Sequence, residues 1–80
     1  MTKNDLRKML DSGNIPKDTY SLEGGLPNEA YCLNQSGNQW EVYYSERGQK
    51  SGLKLFKTEN EACDYFYNSL VQMLKDMGIL

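Results

Sequence analysis

The sequence predicts an α+β domain of order α-β-β-β-α: a small antiparallel three-stranded meander packed against a long C-terminal helix and a short N-terminal one. Three observations predict it. An apolar stripe at helical spacing runs from Ala62 to Met77 behind a capping signal at Thr58. Three strand-like segments lie between Glu29 and Lys57, joined by short polar turns. Those joins are too short for parallel crossovers, so the strands are expected to run antiparallel.

The chain opens with Thr2-x-x-Asp5, an imperfect capping box, followed by Leu6, Met9 and Leu10 at helical spacing. Ser12-Gly13 is the predicted stop, with the glycine in left-handed geometry. Asn14 to Glu29 carries both prolines and the pair Gly24-Gly25, and reads as loop with a short extended piece at Thr19–Leu22. Glu29 to Asn34 reads as a strand and Gln35–Asn38 as its turn. Gln39 to Ser45 is the clearest strand, because Trp40, Val42 and two tyrosines suit a pleated surface. Glu46–Gly52 reads as a polar connection and Leu53–Lys57 as the last strand. Thr58-x-x-Glu61 then caps the long helix. Ala62, Cys63, Phe66, Leu70, Met73, Leu74 and Met77 fall on one stripe at ~100° per residue, and Gly78 ends it.

Period two sorts the central strand. Trp40, Val42 and Tyr44 are expected to face the helix, with Leu53 and Leu55, and with Tyr31 and Leu33 from the first strand. Glu41, Tyr43 and Ser45 are expected to face outward, with Lys54 and Phe56 as neighbours. With helices on one side only, this second face should be wet. Tyr43 beside Glu41 would then be either a rigid aromatic anchor with a polar orienting group, the composition of a binding face, or an ordinary cross-strand packing residue with Phe56 tucked under a loop.

The 80 residues make one domain, 1–80, with a thin core: such a chain buries roughly 60–65% of its unfolded surface. The net charge of −2 argues against a nucleic-acid surface. The apolar runs are too short to cross a bilayer and the first ten residues have no signal-peptide core, so a cytoplasmic location is expected. With no histidine, the commonest general base and metal ligand is missing. Cys32 and Cys63 form no CxxC pair and read as small buried apolar residues. No enzyme activity, metal or cofactor is expected.

Charge is unevenly spread. Residues 1–19 carry four basic and three acidic groups, a net +1, and residues 20–57 four of each. Residues 58–80 carry Glu59, Glu61, Asp64 and Asp76 against Lys75 alone, a net −3. An acidic helix either is a solvated face or docks on a basic partner, with steering to speed association. Tyr65, about 120° from the centre of the apolar stripe, should be exposed beside Asp64. The partner-binding candidates are Glu41, Tyr43, Glu59, Asp64, Tyr65 and Asp76.

The run "WEVYYSERG", the linker to Phe56, and "TENEACDYF" resemble a pattern in small bacterial immunity proteins of the contact-dependent and polymorphic-toxin type. With "SLEGGLPNEAYCL", the matching pieces span about Tyr20 to Leu74. Trp40, Glu46, Arg47, Gly48, Glu61, Ala62 and Cys63 match its recurring positions, which points to scaffold rather than to contacts. The resemblance implies a protein that binds one cognate toxin domain, commonly a nuclease, in a one-to-one complex and blocks it. The alternative from the residues alone is a small regulatory or adaptor module that binds another cytoplasmic protein or itself.

Overall fold

The computed structural model describes all 80 residues. Helix α1, Lys3–Ser12, is followed by a single 3-10 turn at Lys17–Thr19 and a two-residue strand β1, Tyr20–Ser21. Strands β2, Ala30–Ser36, β3, Gln39–Glu46, and β4, Gln49–Phe56, precede helix α2, Glu59–Asp76. The four strands form one sheet in the order β1-β2-β3-β4. The fold is therefore α+β as expected, but the sheet is four-stranded and mixed. β1 pairs parallel with β2, Tyr20 opposite Tyr31 and Ser21 opposite Cys32. A two-residue strand needs no helical crossover to return, and Leu22–Glu29 suffices.

Local chemistry explains both helix starts. Thr2 accepts from the Asp5 N–H at 3.2 Å, and the Asp5 carboxylate accepts from the Thr2 N–H at 3.0 Å. Those bonds hold the Asp5 carboxyl below its ordinary range. Thr58 accepts from the Glu61 N–H at 3.2 Å and donates its hydroxyl to the Glu61 carboxylate at 2.9 Å. At the end of α2, Gly78 takes φ +77, its N–H reaches the Lys75 carbonyl, and that of Ile79 reaches Leu74, a complete Schellman turn. At the end of α1 the left-handed residue is Asn14, φ +53, and not Gly13, φ −83. The helix runs one residue further before turning, and Ile15 is thereby carried into the core.

Leu6, Leu10, Ile15, Leu22, Leu33 and Val42 pack with Ala62, Cys63, Phe66, Leu70 and Leu74. Tyr31 stacks on Phe66 with ring centres 5.2 Å apart. Met73 is only half-buried and Met77 is 61% exposed, so the expected stripe ends at Leu74, whose carbonyl already accepts in the Schellman turn.

The β3–β4 hairpin corrects the expected faces. Its turn is only Arg47-Gly48, both at positive φ, as a type I′ turn requires, so β4 begins at Gln49 and not at Leu53. A regular ladder from that turn would put Leu53 opposite Val42 and Leu55 opposite Trp40, on the helix side. The register instead shifts by one between Val42 and Tyr44, with Gly52 at φ +64. This bulge places Lys54 opposite Val42, Leu55 opposite Glu41 and Phe56 opposite Trp40. Leu53 and Leu55 are thus outside, and Phe56 joins the helix side. A one-residue slip reverses every side chain beyond it.

Candidate functional site

The sheet face away from α2 is partly covered. The loop Leu22–Glu29 starts on the helix side, where Leu22 joins the core and Glu23 pairs with Lys3 and Arg7, and then forms a strap over this face at Gly24-Gly25. The Gly24 N–H donates to the Leu33 carbonyl at 3.0 Å, and Ser21 Oγ donates to the Gly24 carbonyl at 3.0 Å. Tyr43 reaches the strap from below: its hydroxyl donates to the Gly25 carbonyl at 2.6 Å, and its side chain is 1% exposed. Burial, followed by the nearby Cys32 and Glu41, pushes its phenol up to about 12. Tyr43 is therefore a structural residue under a loop, and not the wet anchor its outward parity suggests. Cys32 and Ser45 are buried on the same face.

Glu41 is also engaged within the molecule. Its carboxylate accepts from Asn34 Nδ2 at 2.9 Å and from Lys50 Nζ at 3.2 Å, and it is 13% exposed. These partners, Asn34 first, hold its carboxyl below the ordinary range. Lys50 also lies 4.8 Å from the Tyr43 ring centre. Asn34, Glu41, Lys50 and Tyr43 thus form one closed polar cluster. What remains open here is the rim, Leu53 at 46% and Leu55 at 55% exposure.

The other four candidates lie on α2. Glu59 is half-buried and accepts the Lys3 N–H at 2.9 Å, joining the two helix starts. Asp64 is exposed and lies 3.5 Å from the N-terminal amine, which also donates to Asn60. Tyr65 is half-buried against Phe56, ring centres 5.2 Å apart, so it is a wall of the molecule as much as a free surface. Asp76 is exposed and accepts from Gln72 at 2.9 Å, one helical turn away.

Tyr65 and Asp76 line one feature together. An open groove of about 740 Å³ runs along the flank of α2 between Tyr65 and Met77, with Asn68, Ser69, Gln72, Met73 and Asp76 in its walls. It combines an aromatic ring, two thioethers, amides and one carboxylate, a composition suited to a protein surface. Asn68, Ser69 and Gln72 were not singled out in the sequence, and Met73 and Met77 were assigned to the buried stripe. Their spacing from Tyr65 and Asp76 on one helix was the available signal.

Comparison with protein-family models, with curated proteins and with solved structures finds no match.

The six candidates therefore form two separate groups. Glu41 and Tyr43 lie on the strap side of the sheet, internally satisfied. Glu59, Asp64, Tyr65 and Asp76 lie on the helix side, where Asp64 and Asp76 are the exposed carboxylates and Glu59 is structural. Neither cysteine is placed for chemistry. Both are buried, and burial raises both thiols, that of Cys63 to about 11. No helix of the chain is long and apolar enough to cross a membrane.

Proposed function

We propose that this chain is a non-catalytic inhibitor of the immunity type, which binds one toxin domain in the cytoplasm, one to one, and covers its active site. The observation that carries the reading is the outer flank of α2. It joins exposed carboxylates, Glu61, Asp64 and Asp76, to the groove of Tyr65, Met73 and Met77. A nuclease cleft is basic because it holds phosphates. A helix presenting carboxylates around an aromatic and apolar strip complements such a cleft in charge and in anchor chemistry. The resemblance of "WEVYYSERG" and "TENEACDYF" to immunity proteins supports the same reading. The buried, weakly acidic thiols favour binding over covalent chemistry.

The test is co-expression with the toxin domain that an immunity gene is expected to neighbour, scored by growth and by recovery of a one-to-one complex. Protection with a stable complex is the expected result. Growth arrest with no complex, from a chain shown to be folded, would refute the proposal.

A further inference from the structure

β4 is the one long free edge of the sheet. The opposite edge, β1, has only two residues, whereas β4 has eight, and Gln49–Leu55 are all exposed. On an edge strand, alternate N–H and C=O groups point outward with no ladder partner. Natural edges are often blunted by lysines and bulges, and β4 has both, at Lys54 and Gly52. Edge protection does not account for Leu53 and Leu55, which stand exposed on the same strand. Nor does it account for the arrangement by face. The register puts Leu55 with Glu41 on the strap side and Lys54 with Val42 on the helix side, so apolar and cationic groups flank the edge on opposite faces. Lys50 is neutralised by Glu41, but Lys54 and Lys57 form no ion pair.

We infer that β4 is a docking edge for an extended segment of a partner protein in which acidic and apolar residues alternate. Such a segment would continue the sheet by main-chain hydrogen bonds. Its apolar side chains would lie beside Leu53 and Leu55, and a carboxylate beside Lys54. Charge disfavours a second copy of this chain in that place. β4 holds no acid and its Lys50 is already paired with Glu41, so pairing the strand with itself adds a second unpaired Lys54 and nothing to neutralise either. The edge lies apart from the α2 groove and can be tested without any toxin, so its failure and that of the immunity proposal are distinguishable.

The probe is a capped octapeptide of alternating glutamate and valine, titrated into the isotope-labelled protein at neutral pH and followed by amide shifts and hydrogen exchange. The expected result is perturbation confined to Gln49–Phe56 and slowed exchange of β4 amides. A Lys54→Glu variant should lose about fivefold in affinity for this peptide and gain it for the lysine–valine counterpart, a reversal that damage to the fold would not produce. Absence of binding at millimolar peptide, equal binding of both peptides, or perturbation centred on α2 would overturn the inference. Concentration-dependent protection of β4 without peptide would overturn it in favour of self-association.

Discussion

At the residue scale, two of the contacts that hold the strap each make a prediction. Gly24 sits at φ +69, and a Cβ there would lie 2.4 Å from Asn34 Oδ1. Both the backbone and the neighbour exclude a side chain. Gly24→Ala should therefore cost about 1–3 kcal/mol and shift Asn34 off Glu41, measured by denaturant unfolding and by the Asn34 side-chain amide signals. Gly37 also has positive φ but meets nothing within 4 Å, so Gly37→Ala should cost less and serves as the control. Tyr43→Phe removes the donor to Gly25 and should cost about 0.5–1.5 kcal/mol. Its pH signature is specific. The folded phenol titrates near 12, above its ordinary 10, so its contribution is complete below about pH 10 and is lost as pH rises towards about 12. Cys63, raised to about 11 from 9, acts in the same direction. Stability of the parent should thus fall across that alkaline window, and Tyr43→Phe should flatten the fall. An unchanged slope would place the Tyr43 hydroxyl outside the strap contact.

At the element scale, the hairpin bulge decides which side chains the sheet shows. Deleting Gly52 removes the extra residue while leaving Lys54, Leu55 and Phe56 opposite Val42, Glu41 and Trp40. The deletion should keep the fold and the Phe56–Tyr65 contact. Gly52→Val, which resists positive φ, should strain the bulge or drive a slip that turns Leu53 inward. Proton contacts between Phe56 and Tyr65, kept in the first variant and weakened in the second, check this. The core makes a graded prediction. Phe66 is fully buried, whereas Trp40 is half-buried at the cluster's margin. Phe66→Ala should cost about 3–5 kcal/mol and Trp40→Ala less, by thermal or denaturant unfolding. Equal losses would mean that the margin of the core at the start of β3 is packed as tightly as its centre.

These elements also show what the amino-acid order reveals and what it hides. The capping signals at Thr2 and Thr58 and the stripe from Ala62 to Leu74 were legible because each depends on residues three or four apart. The faces of β4 were not. They depend on whether Gly52 stands in a connection or in a strand, and an isolated glycine is compatible with both. The "ERGQKSG" run hid a two-residue turn inside a longer polar segment. The strap was least legible, since the bond from Tyr43 to Gly25 joins residues 18 apart and no local pattern announces it. Hence the α2 candidates were placed on their correct element, while Glu41 and Tyr43 were assigned to a wet face that the chain itself covers.

At the scale of the whole molecule, the two faces differ in what they expose. The strap side is closed by internal bonds, whereas the α2 side carries the exposed acid of a chain whose last 23 residues hold a net −3. Since Glu59 joins the helix starts, the useful charge reversal is Asp64→Lys with Asp76→Lys, leaving Glu59 in place. Exposed charges act mainly on encounter and are screened beyond a Debye length of ~8 Å at physiological salt. The association rate of this double variant with the toxin domain that the proposal requires, compared with the parent at low and at high salt, is the most direct test. The account predicts slower association at low salt, convergence of the two proteins at high salt, and an unchanged circular dichroism spectrum. An equal association rate at low salt, with the fold intact, would contradict it.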